Sequence, residues 1–135
     1  MNERRIMCDM SATLIHHGHV RILKAAKQLG YVIIALTSDE EILQRKGYQP
    51  ELSYEFRREI LLSMRYVDEV VPSPWLIDEE FLDLHNIDLL VHGSDNSNPI
   101  SSERLLTLNR TQGISSSILR GRVLQASAQF FLSKN

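Results

Sequence analysis

The chain reads as one α/β domain built on an open parallel sheet, and three observations carry that reading. Apolar runs of strand length alternate with amphipathic stretches of helical length. One of those runs, Tyr31–Thr37, is apolar almost throughout and β-branched in its middle, as a strand covered on both faces has to be. The 135 residues amount to a single domain large enough for a real core, and 43% hydrophobic with 24% charged residues is an ordinary globular balance.

In chain order, residues 6–10 form a short first strand. Val20, Ile22, Leu23, Ala26 and Leu29 then recur at helical spacing, and Gly30 stops that helix as a C-terminal cap does. With Tyr31–Thr37 this makes a strand–helix–strand unit. Residues 38–41 open a short helix or turn, and residues 45–50 form a basic loop punctuated by Gly47 and Pro50. Ser53 caps a helix through residue 65, in which Phe56, Ile60 and Met64, four apart, should face the core. Residues 67–72 give a third strand, closed by Pro72. Asp78 caps a helix over 79–85, and residues 87–92 give a fourth strand ending at Gly93. Residues 105–108 supply a fifth, and a last helix starts near Ser115. The domain is expected over residues 1–125. Residues 126–135 form a C-terminal tail whose Phe130, Phe131 and Leu132 should dock on their own domain or on a partner subunit.

The bulk properties exclude several classes. A formal net charge of -2 gives no basic field for nucleic acid. No apolar run reaches the length of a membrane span, and residues 1–5 lack the apolar heart of a signal peptide. The single cysteine, Cys8, cannot form an internal disulfide, which points to the cytoplasm; within a strand it reads as a small core residue.

Chemistry concentrates at two helix starts. Ile15-His16-His17-Gly18-His19 lies where the first strand gives way to the first helix. Unpaired amides and the helix dipole suit such a turn to phosphate, and Gly18 leaves room for a close approach. Imidazole donors there could stabilise charge developing on phosphorus. The histidine spacing fits neither a helical metal pair nor a zinc finger, so no metal site is expected. The second start is Arg110-Thr111-Gln112-Gly113-Ile114-Ser115-Ser116-Ser117, which unites an arginine, a glycine and several hydroxyls before the last helix. Lys46, beyond the second strand, is a further phosphate partner. Two such starts in one small domain suit a nucleoside triphosphate held at several phosphates.

His16-x-Gly18-His19 together with Arg110-Thr-x-Gly-Ile-Ser115 resembles the paired signature of the cytidylyltransferases, most of all those that make CDP-glycerol, CDP-choline and CDP-ethanolamine. Lys46-Gly47 with Arg57, the run of residues 65–71, Pro74-Trp75, His85-x-Ile87-Asp88 and Gly93-x-Asp95 follow the same pattern in order. The resemblance implies a Rossmann-like nucleotidyltransferase fold, five parallel strands with helices on both faces. It also implies attack of a phosphorylated alcohol or a phosphonate on the α-phosphorus of CTP, with release of pyrophosphate. The acceptors it brings are glycerol 3-phosphate, phosphocholine, phosphoethanolamine and hydroxyethyl- or aminoethylphosphonate. Mg2+ would ride on the CTP phosphates, and the protein would be a homodimer.

By the same resemblance, His16, His19, Lys46 and Arg110 are catalytic. Met10, Ser11, Gly18, Gly93, Asp95, Thr111, Gly113, Ile114, Ser115 and Ser116 surround the nucleotide. Thr13, Arg57, Arg65 and Trp75 meet the second substrate, with Arg57 and Arg65 also candidates for a dimer contact. Trp75 offers an indole face for an ammonium group, or else packs as a core or rim residue. One stretch departs from the pattern: the family's Gly-x-Phe-Asp reads Met10-Ser11-Ala12-Thr13 here. That departure leaves a non-catalytic nucleotide-binding domain as an alternative. A second is an ATP-using adenylyltransferase, against which the closing Arg-Thr-x-Gly-Ile-Ser motif argues.

Overall fold

The computed structural model describes residues 3–133. Its strands are β1 (Arg5–Met10), β2 (Tyr31–Thr37), β3 (Glu69–Ser73), β4 (Leu89–Gly93) and β5 (Leu105–Leu108). Its helices are α1 (His17–Lys27), α2 (Asp39–Lys46), α3 (Tyr54–Leu62), α4 (Glu79–Leu84) and α5 (Ser116–Ser133), with a 3-10 turn, Ser102–Arg104, just before β5. The five strands form one parallel sheet in the order β3-β2-β1-β4-β5, so the α/β class and the parallel sheet expected from the apolar runs are both present.

Strand alternation explains why the central runs are apolar throughout. Ile6, Cys8, Ile34, Leu36 and Val91 point to the face covered by α1 and α3, where Leu23, Ala26 and Leu61 meet them. Met7, Ile33, Ala35 and Leu90 point to the other face, against Ile77, Leu82 and Ile87 around α4. With both faces covered, a polar residue in mid-strand would lose its water without gaining a partner. Cys8 is fully buried, and burial pushes its thiol well above the ordinary range, so it fills the core.

Several expectations need correction. In α3 the buried residues are Arg57 and Leu61, whereas Phe56 is 57% and Ile60 38% exposed. Only Met64 of the expected stripe packs against the core. The buried face differs from the apolar spacing because Arg57, a charged residue, takes the innermost place by donating to backbone oxygens. Arg45 and Lys46 end α2 rather than lying in a loop, with Gly47 as the left-handed C-cap (φ 79°). Pro72 does not close β3; it sits inside it, opposite Leu36, which an edge strand tolerates. Beyond residue 125, α5 runs without a break to Ser133, and none of its described residues is buried. Phe131 and Leu132 stay largely exposed, and Phe130 meets Phe131 edge to face at 5.6 Å.

Candidate active site

The strand order reverses between β1 and β4, and the loops leaving their carboxyl ends part to form a cleft of about 380 Å³. Of the residues singled out from the sequence, Met10, Ser11, Thr13, His16, Gly18, His19, Lys46, Trp75, Gly93, Asp95, Arg110, Thr111, Ile114, Ser115 and Ser116 line it.

The two histidines form a reciprocal cap on α1. His16 is the N-cap; its Nδ1 accepts from the Gly18 amide at 3.0 Å, and its own amide donates to Nδ1 of His19 at 3.1 Å. A backbone N–H can only donate, so each ring must accept at Nδ1. Each neutral ring therefore carries its proton on Nε2. Burial, reinforced by the neighbouring His17 charge, lowers the pKa of His16. Burial, then the charges of His16 and Arg110, brings that of His19 down to about 4. The rings lie 4.0 Å apart between centroids. The pair is thus two neutral N–H donors held without any rearrangement, as stabilisation of charge on a phosphoryl group requires. Gly18 lines the cleft and has a second reason to be glycine: a Cβ there would lie 2.8 Å from Cε1 of His16, so it makes room for the capping ring.

The second helix start is also assembled. Ser115 Oγ accepts from the Ile118 amide at 3.0 Å and caps α5. Ser116 Oγ donates to the Leu14 carbonyl at 2.8 Å and accepts from the Leu14 amide at 3.3 Å, pinning this start against the β1–α1 loop. Arg110 is gripped by Asp95 through Nη2–Oδ2 at 2.6 Å and Nε–Oδ1 at 3.2 Å. Although burial opposes it, that grip holds the Asp95 carboxyl below its usual pKa. Asp95 therefore orients Arg110, and Gly93 lies beneath both, where a Cβ would come within 3.2 Å of each. Across the cleft, the Lys46 ammonium lies 5.7 Å from the Trp75 ring centre, so a cation of the protein's own already faces that indole.

Three expected residues stand elsewhere. Arg57 is fully buried: Nη1 donates to the carbonyls of Ser11 (2.6 Å) and Thr37 (2.9 Å), Nε to Leu52 (3.0 Å), and Nη2 to Asp39 (2.6 Å). It fastens the ends of β1 and β2 and does not line the cleft. Arg65 is exposed beside Tyr66 and also lies outside it. Gly113 turns the chain at φ 79° ahead of α5 and is not a lining residue.

Other lining residues were missed. Asp9 at the end of β1 meets Nδ1 of His92 at 2.5 Å and accepts from Nδ2 of Asn98 at 3.0 Å. Asn98 in turn accepts from the Ile77 amide at 2.7 Å, tying the loop after β4 to that after β3. Burial alone would lower the His92 pKa, but the bond to Asp9 and the charges of Asp9 and Asp95 outweigh it, and the net shift is upward. A carboxylate one residue before the end of the apolar run 6–10 is the signal available in the sequence.

A parallel sheet with its cleft at the switch point, and two helix starts facing one space, make the ligand-site arrangement of doubly wound α/β proteins. The chain belongs to the cytidylyltransferase-like family, whose profile matches residues 11–122. It is 38% identical over 118 residues to the glycerol-3-phosphate cytidylyltransferase of Bacillus subtilis (strain 168), covering 82% of this chain and 89% of that protein. It is 36% identical over 132 residues to the ethanolamine-phosphate cytidylyltransferase of Mus musculus. That match takes in 89% of this chain, which spans only about a third (32%) of the mouse protein's length. Among solved structures, the lipopolysaccharide core biosynthesis protein of Thermoplasma volcanium GSS1 shares the fold at a TM-score of 0.67 and 15% identity. The alignment covers 81% of this chain and 98% of that one.

Proposed function

We propose that this protein transfers CMP from CTP to a small phosphorylated alcohol or phosphonate. An oxygen of the acceptor's phosphate or phosphonate attacks the α-phosphorus of CTP. A new P–O bond forms, the bond to the β-phosphate breaks, and pyrophosphate leaves with the electron pair. No side chain needs to become covalently attached. The observation that carries this reading is the neutral histidine pair at the start of α1, facing the same cleft as Arg110 and the start of α5. His16 and His19 would donate Nε2–H to the triphosphate as its charge shifts, Arg110 and the α5 amides would hold the phosphates, and Lys46 would meet them from the opposite wall. Lys46 over Trp75 favours an acceptor recognised by its anion over one held by a cation–π cage.

Among the described residues no three His, Cys, Asp or Glu side chains are grouped to hold a metal ion. In this proposal Mg2+ is therefore bound mainly by the phosphates of CTP and enters with them. The reading also carries a homodimer, for which the exposed Phe56 and Ile60 of α3 offer apolar contacts, and a cytoplasmic site of action. No described helix is long and apolar enough to cross a membrane.

The test is pyrophosphate release from CTP and magnesium with glycerol 3-phosphate, phosphocholine, phosphoethanolamine and the hydroxyethyl- and aminoethylphosphonates, with ATP in place of CTP as control. Turnover with CTP and one acceptor supports the proposal. Turnover with ATP alone would make it an adenylyltransferase, and CTP binding without turnover across the panel would make it a binding domain.

A further inference from the structure

Beyond the histidines and Arg110, a second arginine backs the residues of the cleft wall. Arg120, on the second turn of α5, pairs through Nε and Nη2 with both carboxylate oxygens of Glu51; the Nη2–Oε1 distance is 2.7 Å. Its Nη2 also donates to Thr13 Oγ1 at 3.1 Å, and the guanidinium lies 4.6 Å from the centre of the Tyr48 ring. Thr13 and Tyr48 line the cleft, while Arg120 and Glu51 stand behind them. Tyr48 and Glu51 belong to the segment between α2 and α3, which begins directly after Lys46. One guanidinium thus ties that segment to α5 and to the β1–α1 loop.

The chemistry of these groups fixes a direction. Guanidinium has five N–H donors and no acceptor, so Thr13 must offer Arg120 an oxygen lone pair. Among the described residues that is the one hydrogen bond of the Thr13 hydroxyl, so its proton is left to point elsewhere. Thr13 is only 3% exposed, and its open side is the cleft. A hydroxyl oriented in this way is able to donate to an oxygen placed in the cleft. Glu51 holds the guanidinium in plane, and its own pKa is lowered chiefly by the bond to Arg120.

We propose that Arg120 and Glu51 are positioning residues for the acceptor substrate: they orient Thr13 as a hydrogen-bond donor to the acceptor's phosphate or phosphonate and hold Tyr48 in the wall beside it. This rests on the transfer reading above. Neither residue touches the reacting atoms; both act through Thr13 and Tyr48. The nucleotide side, organised by His16, His19 and Arg110, does not depend on them.

The experiment is steady-state kinetics of pyrophosphate release, with KM measured separately for CTP and for the acceptor that the wild type uses best. Arg120→Ala and Glu51→Gln should each raise the acceptor KM by about tenfold or more and leave the CTP KM within about twofold, the split expected when only one substrate's contacts are lost. In a Thr13→Val background the Arg120→Ala penalty should shrink, because the route through the hydroxyl is already cut. Glu51→Gln keeps the test intact if Arg120→Ala fails to fold, and the CTP KM reports a sound nucleotide site in each variant. Equal shifts in both KM values, no shift in either, or the same Arg120→Ala penalty with Val at position 13 would overturn the proposal alone. A wild type that turns over none of the acceptors would defeat the transfer reading and this proposal with it.

Discussion

The two histidines of the first helix start are legible from their ring nitrogens outward. Because backbone amides occupy both Nδ1 atoms, the rings are neutral donors at neutral pH and need no proton uptake to work. Removing either should lower kcat by about a hundredfold or more, with a smaller effect on CTP affinity, as for loss of a preorganised donor to developing charge. Single-turnover rates of His16→Ala and His19→Ala check this, and near-normal rates in both would remove them from the mechanism. The same burial has a consequence for stability. The folded protein does not protonate His19 until about pH 4, whereas the unfolded chain takes up that proton near the ordinary value of 6.5. Between those values the unfolded state binds more protons, so this histidine makes folding less favourable as pH falls through the window and has no such effect above it. His16 acts in the same sense, and His92, whose pKa is raised, acts in the opposite one. Urea unfolding at pH 5 and pH 7.5 should show a smaller acid loss in His19→Asn than in the wild type. An equal loss would exclude the effect.

Among the elements, α3 shows where a pattern of apolar spacing misleads. Phe56 and Ile60 have the right spacing for a core stripe, yet the helix turns Arg57 and Leu61 inward. The carbonyls of Ser11, Thr37 and Leu52 end strands or loops at the sheet's carboxyl edge and find their hydrogen bonds in one guanidinium. Arg57→Met keeps most of the volume and removes every donor, leaving those oxygens and Asp39 without their partner. It should destabilise the fold by about 3 kcal/mol or more. Chemical denaturation checks the figure, and a change below about 1 kcal/mol would show that water replaces the arginine there. In the homodimer proposed above, exposed Phe56 and Ile60 would supply a contact between the two copies. Sedimentation of Ile60→Glu, which should shift a dimer toward monomer, tests that contact.

The whole molecule joins two halves of one cleft, strands β1 to β3 supplying the histidines and Lys46, and β4 with the start of α5 supplying Asp95 and Arg110. A nucleotide spanning both should stabilise the folded chain. At a hundred times its Kd, CTP should add about 2.7 kcal/mol, visible as a rise in Tm. Arg110→Ala should remove most of that rise at the same CTP concentration while leaving the Tm without nucleotide nearly unchanged. An undiminished rise would take Arg110 out of nucleotide binding.

What could be read in the linear chain was whatever depends on neighbours a few residues apart. Apolar runs marked the strands, Ser53 and Asp78 marked helix starts, and the His16–His19 and Arg110–Ser116 stretches marked two more helix starts that line the cleft, because capping and periodicity are local physics. The tertiary structure alone decided what depends on distant partners. Arg57 became a buried brace and Asp9 a partner of His92 and Asn98, more than eighty residues away in sequence. Arg120 reached Thr13 and Glu51. A charged side chain has no role until the fold chooses its counterpart. Buried charge is tolerated only where that counterpart sits within hydrogen-bonding distance, and such distances are set by how the strands and helices pack.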